Sequence, residues 1–593
     1  MPTTKRRLSI LFALFLGAIV LLLSTKLPAE QVPEITFDHT HTSTETLVYL
    51  EKMAAAFPDL ARLHRIGKSY QGKDLLVLEI TNQATGKGLD KPGLWIDGCM
   101  HSSETAGGEM SLHTIQTLIR QYGKDPFITR ILDERTFYIM PKLNPDGSDY
   151  AITHPGDMRS VVRPFDDDGD GQTDEDPAED LNGDGYITMM RIRDDNGPMR
   201  TSSEDPRLMI PAAHGNNPAQ WKGEWRVLQE GIDNDNDGLL NEDGIGGIDI
   251  NRNFPEQWQP APLSFNPGPY PLSEQESRAV ADFLLSLKNL SGSINYHQTG
   301  NVAVFPPSNL RTDPITGDFV RQPYEDELMY QRLGRKCIEL NDTARVQVFK
   351  IHGASPATWH GSIWGVYVDW IYYRLNAYSW IFEFGINPGA KEIFPSGGKD
   401  IDRLRWSDEN MDGRLFVDWT PFDHPTLGKV EIGGFLWKLF DETSKTYTNI
   451  QCLPGPEWEK TLDNHTRWHL YLIDQSPLLR ITDAKVQTEE NGYHTITATI
   501  ENLGVLPTYN TKQGLAGGSA KTVTASISLT GAELVGGEEK VDLGHLEGKS
   551  SAKNLRLKKV TWVVRTKGRE KAAAVIHAVS EKGGRHVKSI TLR

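Results

Sequence analysis

The sequence predicts an α/β fold, in which a mixed, mostly parallel sheet is covered by helices on both faces, followed by a small C-terminal all-β sandwich. Apolar runs of strand length alternate with helical patterns through most of the 593-residue chain. Such alternation is typical of buried parallel strands joined by crossover helices. From about Arg480 the helical patterns give way to period-two runs separated by Gly, Asn and Pro, which is typical of an antiparallel sandwich.

The individual elements follow from these periodicities. In chain order, the sequence predicts a helix over 44–57 that ends before Pro58, a hairpin over 61–66 and 75–80, a buried strand over 94–100, a helix over 109–121, a strand over 136–141, a turn at 144–147, a helix over 275–288, and strands over 290–297 and 376–384. In the last part it predicts strands over 493–500, 521–529 and 560–564.

The residue pattern at the N-terminus predicts that the protein is exported from the cytoplasm. Three basic residues at positions 5–7 precede an apolar run over Leu8–Leu23, which is the pattern of a secretory signal. The run is slightly long for a signal core and short for a membrane span, so a cleaved signal peptide and a retained membrane anchor both stay open. In either case we expect the body of the protein outside the cytoplasm, whether secreted, periplasmic or tethered to a membrane.

Charge is distributed in blocks, which indicates separate modules. The net charge is −16; residues 165–249 hold 22 Asp and Glu against 6 Lys and Arg, whereas residues 480–593 hold 18 Lys and Arg against 11 Asp and Glu. We therefore predict a leader over 1–30, a main unit over 31–479 that contains the acidic insert 165–249, and a β-sandwich over 480–593. The negative field gives no support to nucleic-acid binding. Only three widely spaced cysteines are present, which excludes a disulfide-rich scaffold.

A histidine and a carboxylate three residues apart follow the predicted strand over 94–100. His101 and Glu104 could hold one zinc ion from the same side, with a third ligand from elsewhere and an open position for water. The pair alone is a weak signal, because roughly one His-x-x-Glu match is expected by chance. Further signals follow in chain order, namely Asn144–Gly147, Asp249–Pro255, Asn295–His297, Asp369–Trp370 and Glu383.

This ordered set resembles the zinc metallocarboxypeptidases of the carboxypeptidase A type, over roughly residues 40–450 without the acidic insert. The resemblance implies a zinc carboxypeptidase-like sheet and a metal held by His101, Glu104 and His297. It also implies that Glu383 acts as a general base towards water and later as an acid towards the leaving amine.

The resemblance implies substrate-binding residues as well. Asn251 and Arg252 match the pair that binds a terminal carboxylate, so the substrates would be peptides or proteins with a free C-terminus. A second arginine should polarise the scissile carbonyl; by its spacing from the Asn-Pro-Asp-Gly turn this is Arg159, with Arg163 close behind. Val368 stands where the family helps set side-chain preference, and an apolar wall there would favour apolar or aromatic terminal residues.

One position departs from the family pattern. Where the family carries its substrate-capping tyrosine, this chain has Gly361. His360, Trp364 and Tyr367 stay open as substitutes.

The acidic insert contains three motifs that open like calcium loops, with oxygen ligands at positions 1, 3 and 5 and Gly at position 6. The ligands are Asp166, Asp168 and Asp170; Asp180, Asn182 and Asp184; and Asp233, Asp235 and Asp237. The first and third continue with residues 174–176 and 241–243, which supply later carboxylates. None has the Glu of an EF-hand at position 12, so they resemble the loops of extracellular repeat modules. Crowded carboxylates repel without a cation, so we predict structural Ca²⁺ here.

Three functions stay open at this point. The leading hypothesis is an exported, zinc-dependent carboxypeptidase that Ca²⁺ stabilises. The second is a zinc amidase acting on cell-wall or modified peptides, against which the retained Arg252 argues. The third is a calcium-dependent binding protein with an inactive peptidase fold, which the intact zinc ligands and Glu383 disfavour.

Overall fold

The structure is a computed structural model that describes residues 33–212, 223–298, 301–308, 311–312, 319–320, 322–341, 345–348, 363–384, 400–567 and 571–592. The predicted leader, Gly361 and His360 lie outside these residues. Within the described ranges, no helix is both long enough and apolar enough to cross a bilayer.

Helices are interspersed among the strands as far as residue 384, whereas the part after residue 478 consists mainly of strands. The strands are β1 (Ala61–Lys68), β2 (Asp74–Ile80), β3 (Gly93–Asp97), β4 (Thr136–Met140), β5 (Met189–Arg193), β6 (Met199–Thr201), β7 (Met209–Pro211), β8 (Trp225–Gln229), β9 (Leu290–Gln298), β10 (Val302–Phe305), β11 (Arg311–Thr312), β12 (Phe319–Val320), β13 (Arg345–Val348), β14 (Tyr378–Phe384), β15 (Phe416–His424), β16 (Gly428–Phe435), β17 (Lys438–Asp441), β18 (Thr446–Asn449), β19 (Leu479–Thr488), β20 (Tyr493–Asn502), β21 (Val523–Thr530), β22 (Ala532–Gly536), β23 (Lys540–Gly544), β24 (Leu557–Thr566), β25 (Ala572–Ser580) and β26 (Gly584–Leu592). The helices are α1 (Ser43–Ala56), α2 (Ala106–Gln121), α3 (Pro126–Glu134), α4 (Pro145–Thr153), α5 (Gln275–Ser286), α6 (Tyr324–Leu340), α7 (Tyr367–Leu375), α8 (Asp400–Asn410), α9 (Pro456–Asp474), α10 (Lys512–Ala516) and α11 (Lys553–Arg556).

The central sheet has the strand order β1-β2-β4-β3-β9-β14-β10-β13. Strand β3 runs parallel to both β4 and β9, and β9 runs parallel to β14. The pair β10 and β13 is also parallel, whereas β1 with β2, β2 with β4, and β10 with β14 are antiparallel. The predicted mixed, mostly parallel sheet is therefore confirmed.

Helices cover both faces of this sheet, as predicted. Successive residues of a strand point to opposite faces, and in β3 the side chains of Leu94 and Ile96 join one apolar core while Trp95 joins another. The first core contains residues of α1, α2, α3, α6 and α9, and the second contains residues of α5 and α7. Each fully buried Leu or Ile in these cores stabilises the fold by about 1.5–3 kcal/mol.

The acidic insert contains regular structure that its composition does not predict. Its strands β5–β8 combine with the hairpin β15–β16 into a six-stranded sheet of order β15-β16-β5-β8-β6-β7. The Arg191 guanidinium lies between the rings of Trp225 and Trp419, 4.5 and 4.6 Å from their centroids. Such cation–π contacts tie the insert to the later hairpin. The strands are short, and β6 spans three residues, which explains why periodicity alone did not reveal them.

The C-terminal part forms two four-stranded antiparallel sheets, β19-β20-β24-β22 and β23-β21-β25-β26. Ile496 and Trp562 from the first sheet and Ile527 and Ile576 from the second belong to one apolar core. Two antiparallel sheets that share a core form a β-sandwich, so the fold class predicted for this part is confirmed.

Two local predictions were wrong at their boundaries. The strand predicted over 94–100 ends at Asp97, because Cys99 adopts a left-handed φ of 54° that cannot continue a strand. The predicted turn at 144–147 is the start of α4: the Asn144 side chain accepts a hydrogen bond from the Gly147 amide and Pro145 occupies the first helical position.

Glu276 in α5 is a buried carboxyl group whose ionisation should lower the stability of the protein. It is buried and accepts a hydrogen bond from the Tyr70 amide, and burial together with nearby Asp146 raises its pKa to about 7 from an ordinary 4.5. When folding raises the pKa of a carboxyl group, the group stabilises the folded protein fully at pH values below the pKa that it has in the unfolded chain. This contribution is lost as the pH rises through the pKa that the group has in the folded protein. Glu276→Gln mimics the protonated form, so at pH 8 it should stabilise the protein by about 3 kcal/mol, at about 1.4 kcal/mol per pKa unit.

Thermal unfolding of Glu276→Gln and wild type at pH 8 and pH 5 measures this effect. We expect a higher melting temperature for the variant at pH 8 and a much smaller difference at pH 5. The exposed Asp282 on the same helix provides the control variant Asp282→Asn. A Glu276→Gln effect of equal size at both pH values would contradict the assignment.

Candidate metal centre and substrate site

Adjacent parallel strands bring the predicted metal ligands to one edge of the central sheet. His297 lies near the end of β9, where its register partner on β14 is Glu383. On the other side of β9, strand β3 leads into the segment that carries His101 and Glu104. Because the carboxyl ends of parallel strands meet at one edge, residues far apart in the sequence come together there.

The segment between β3 and α2 is held in place by close backbone approaches. A Cβ atom on Gly98 would lie 2.2 Å from the carbonyl carbon of Gly107, and one on Gly107 would lie 2.5 Å from the Tyr296 Cβ. Only glycine therefore fits at these two positions. The Ser102 amide donates to the Arg159 carbonyl at 3.2 Å, so the segment with both ligands is fixed against β9 on one side and the Arg159 segment on the other.

His101, Glu104 and His297 form one compact, buried cluster. The Nδ1 atom of His101 lies 3.0 Å from Glu104 Oε1, and the Nδ1 atom of His297 lies 2.8 Å from Glu104 Oε2. The two Nδ1 atoms are 2.9 Å apart. One donor atom from each residue lies within 4.8 Å of the others, close enough for all three to hold one metal ion.

The tautomers of both imidazoles suit a metal. The Nε2 atom of His101 lies 3.1 Å from Asp249 Oδ1, and the Nε2 atom of His297 bonds the Asn295 amide oxygen. Asn295 in turn donates from its NH₂ group to the carboxylate of Asp97, which fixes its oxygen towards His297. With acceptors at both Nε2 atoms, two Nδ1 lone pairs and a carboxylate converge, which is the donor set that Zn²⁺ prefers.

The charges in the cluster shift each other's protonation. Burial lowers the pKa of His297 to about 4, against the opposing effect of Glu104. For Glu104 burial alone would raise the pKa, but His101 and His297 hold it well below its usual range. Glu104 is therefore ionised and His297 neutral near pH 7, which are the states that metal ligands need.

Glu383 lies beside this cluster, and its side chain is 8% exposed. Burial and the nearby Glu104 raise its pKa well above the usual value, whereas Arg159 and Arg252 lower it. A buried carboxyl group whose pKa is raised beside a metal cluster is typical of a catalytic acid–base.

Two of the predicted arginines lie at the cluster. Arg159 donates from Nε to Asp249 Oδ2 at 3.0 Å and from Nη1 to Glu104 Oε1 at 3.4 Å. Arg252 donates to the backbone carbonyl of Asn251 at 2.9 Å and lies 3.8 Å from Asp249 Oδ2. Asp249 thus holds His101 and Arg159 directly and lies beside Arg252.

Other predicted residues are not brought to the cluster. Arg163 makes two hydrogen bonds, of 3.0 and 2.9 Å, to the carboxylate of Glu274 instead. Val368 and Tyr367 are fully buried in the second apolar core, because α7 turns both side chains towards the sheet. Val368 therefore presents no wall to a substrate and Tyr367 cannot cap one. Among the described candidates for the capping role, this leaves the partly exposed Trp364.

Three residues at the cluster have roles that the sequence did not assign. Asp249 and Asn295 stand at the starts of two motifs that the sequence singled out, each two positions before a predicted functional residue. Residues two apart on a strand share a face, so Asn295 could have been expected beside His297. Asp97, which holds Asn295, carries no such signal.

A cleft of about 520 Å³ lies between the insert and the segment that carries Glu104. Ser103 and Thr105, on either side of Glu104, line it together with Arg403, Trp419 and Trp437. Residues of the six-stranded sheet form part of the wall of this cleft.

The three Asp-rich motifs lie in turns of the insert. In the first, Asp166, Asp168 and Asp170 bring carboxylate oxygens within 4.8 Å of one another. In the second, Asp180 accepts from the amides of Gly183 and Gly185, and Asn182 donates to Asp184. The third, with Asp233, Asp235 and Asp237, packs against the first.

The sheet, the His-Glu-His cluster and the adjacent glutamate and arginines together define a metallopeptidase type of α/β protein. The family described as zinc carboxypeptidase matches residues 46–402, and this chain belongs to that family. Residues 478–591 match a domain described as being of unknown function.

Similar proteins include carboxypeptidase D of Drosophila melanogaster, 34% identical over 449 residues, which cover 72% of this chain and 25% of that protein. Mouse carboxypeptidase D is 32% identical over 124 residues, 21% of this chain and 9% of that protein. This chain thus spans about a tenth of the length of that curated relative. The solved structure of carboxypeptidase A from Helicoverpa armigera has a TM-score of 0.39 and 16% identity over 64% of this chain and 72% of that chain.

Proposed function

We propose that this protein is an exported zinc-dependent metallocarboxypeptidase that removes the C-terminal residue from peptides. The observation that carries the proposal is the convergence of two Nδ1 atoms and a carboxylate beside Glu383 and the Arg252 guanidinium. Family membership supports the same activity.

The metal ligands would be His101, Glu104 and His297. A zinc ion held by them would be a Lewis acid that polarises a carbonyl group and lowers the pKa of water to about 7. Asp249 and Asn295 keep both imidazoles oriented for this task through their Nε2 atoms.

Glu383 would be the general base. It accepts the proton of the attacking water and passes it to the leaving amine when the peptide bond breaks. Its low exposure limits competing solvent protons, and the cationic Arg159 and Arg252 oppose the rise in its pKa that burial and Glu104 cause.

Arg252 and Asn251 would bind the terminal carboxylate of the substrate. The planar guanidinium can donate two parallel hydrogen bonds to a carboxylate. The Asn251 oxygen accepts from the Tyr367 amide at 3.0 Å, which orients its NH₂ group as a further donor. Arg159, half-exposed and held by Asp249 and Glu104, would polarise the scissile carbonyl.

Export and Ca²⁺ binding complete the proposal. The basic start and apolar run before residue 24 support passage through a membrane, either with cleavage or with retention as a tether. The three Asp-rich motifs of the insert support the binding of structural Ca²⁺. Outside the cytoplasm, Ca²⁺ at millimolar concentration would occupy even weak sites.

A peptide panel and a zinc measurement test the proposed activity. Purified protein should contain one zinc ion per chain and hydrolyse peptides with free C-termini at least a hundredfold faster than amidated ones. Chelation with 1,10-phenanthroline should abolish turnover, and added zinc should restore it. Equal hydrolysis of amidated peptides would favour the amidase alternative, and protein without zinc or activity would favour an inactive peptidase fold.

A further inference from the structure

The first and third Asp-rich loops of the insert, 166–176 and 233–243, pack against each other as a pair. Asp176 and Asp243 form an antiparallel bridge, in which the Asp176 amide donates to the Asp243 carbonyl at 3.1 Å. The side chains of these two residues also form hydrogen bonds to the opposite loop. The Asp243 carboxylate accepts from the Asp167 amide at 3.2 Å, and the Asp176 carboxylate accepts from the Asn234 amide at 3.3 Å. Residues 167 and 234 hold the same place in their loops, so the pair has a local two-fold arrangement.

Carboxylates from both loops meet in two groups that follow the same two-fold arrangement. Each group contains the third residue of one loop and the fifth and tenth residues of the other, with one oxygen of each within 4.8 Å of the others. The groups are Asp168, Asp237 and Glu242, and Asp235, Asp170 and Glu175. The third-position aspartates, Asp168 and Asp235, thus contribute across the pair, whereas each glutamate lies with the fifth residue of its own loop.

One carboxylate in this pair is buried with an oxygen that lacks a donor. Asp243 is 1% exposed, and its Oδ2 has no hydrogen-bond partner among the described residues. Its carboxylate forms a further group with Asp168 and Glu175, again within 4.8 Å. Ionised carboxylates at this spacing repel unless a cation lies between them.

The paired loops lie at the neck where the insert joins the catalytic body. The Asp174 carboxylate accepts hydrogen bonds from the amides of Phe165 and Gly246, at 3.2 and 2.9 Å. It thus connects the segment that leads into the insert with the segment that leads back to the central sheet. Above it, the Val161 amide donates to the Ile248 carbonyl at 3.1 Å. The segment that leads into the insert begins just after Arg159. The segment that leads back to the sheet ends at Asp249, whose carboxylate accepts a hydrogen bond from Arg159.

We propose that loops 166–176 and 233–243 form one calcium clasp that binds two ions, each shared by both loops, and that this clasp positions Arg159 and Arg252 for catalysis. Ca²⁺ fits because every side-chain donor is a carboxylate oxygen, and its flexible coordination accepts additional carbonyl and water ligands. The Ca²⁺-binding part of this proposal is independent of the peptidase assignment, whereas the positioning of Arg159 and Arg252 rests on the proposed function. The second loop, around Asp180, stands outside the clasp.

The alternative arrangement places one ion in each loop, as the proximity of Asp166, Asp168 and Asp170 would allow. Paired variants distinguish the two arrangements. If the ions are shared, Asp168→Asn with Glu242→Gln removes ligands of the same ion, whereas Asp168→Asn with Asp170→Asn removes ligands of both. If each loop binds its own ion, the two outcomes are reversed.

The experiment titrates Ca²⁺ into the full, zinc-loaded chain by calorimetry after Ca²⁺ removal with EGTA and a check of zinc content. We expect the Asp168→Asn, Glu242→Gln protein to lose one ion and the Asp168→Asn, Asp170→Asn protein to lose two. Asp180→Asn and the exposed control Glu409→Gln should keep both clasp ions. The reversed pattern would overturn sharing, and wild-type protein that binds no Ca²⁺ at these loops would overturn calcium binding itself.

Activity tests the link to the active site. With zinc content unchanged, Ca²⁺ removal should lower kcat/KM for peptides with free C-termini at least tenfold, and added Ca²⁺ should restore it. Removal should also lower the melting temperature, since Ca²⁺ would bind only the folded insert. An unchanged kcat/KM in Ca²⁺-free, zinc-loaded protein would refute the positioning of Arg159 and Arg252 by the clasp.

Discussion

Replacing Glu383 with glutamine should leave the zinc content unchanged and lower kcat for peptide hydrolysis by roughly a hundredfold to ten-thousandfold, the usual contribution of a positioned acid–base group. Glutamine has nearly the same shape, so the packing of β14 should persist. It cannot accept a proton from water at neutral pH. Steady-state kinetics on a peptide with a free C-terminus, together with metal analysis of the same preparation, measure both effects.

A second buried glutamate of the central sheet provides the matched control. Glu79 on β2 pairs with His64 Nε2 at 2.9 Å and lies on the other side of β3 from β9 and β14 in the sheet order. Glu79→Gln should change stability but leave kcat within about twofold of wild type, because no reacting group touches it. Turnover of Glu383→Gln close to that of wild type would remove Glu383 from the mechanism while leaving the metal cluster intact.

Replacing Arg252 should mainly weaken the binding of substrates that end in a free carboxylate. Losing one partner of a buried, hydrogen-bonded charge pair costs about 2–5 kcal/mol, which corresponds to a rise in KM of roughly 30-fold or more. Arg252→Lys tests the geometry specifically, because it keeps the positive charge but removes the planar fork. KM and kcat for matched free and amidated peptides measure the discrimination directly.

The matched control is Arg163→Gln, because this guanidinium is engaged by Glu274 and not by the metal cluster. We expect it to leave the preference for free C-termini unchanged, whereas both Arg252→Lys and Arg252→Ala should reduce that preference. An Arg252→Ala protein that still favours free over amidated ends as strongly as wild type would assign the carboxylate to another group.

Most of the secondary structure was predictable from the sequence, and so was the grouping of His101, Glu104 and His297. The elements with strong periodicity, such as α5 and β9, lie within a few residues of their predicted bounds, because buried faces impose the periods of helices and strands on the chain. The insert sheet was missed because its strands are short and their burial depends on contacts with β15–β16, which lie far along the chain. The end of β3 was misplaced because apolar residues continue past Asp97 although the backbone turns at Cys99.

The sequence by itself determined which side chains the ordered motifs contain: two imidazoles, two carboxylates and the guanidinium groups of Arg159 and Arg252. The tertiary structure alone decided how they are used. It paired Arg163 with Glu274 and Arg159 with Asp249, oriented His297 through Asn295 and Asp97, and set Glu242 beside Asp168. The physical reason is that partners separated by tens or hundreds of residues meet through sheet register and packing, which leave no local pattern in the chain.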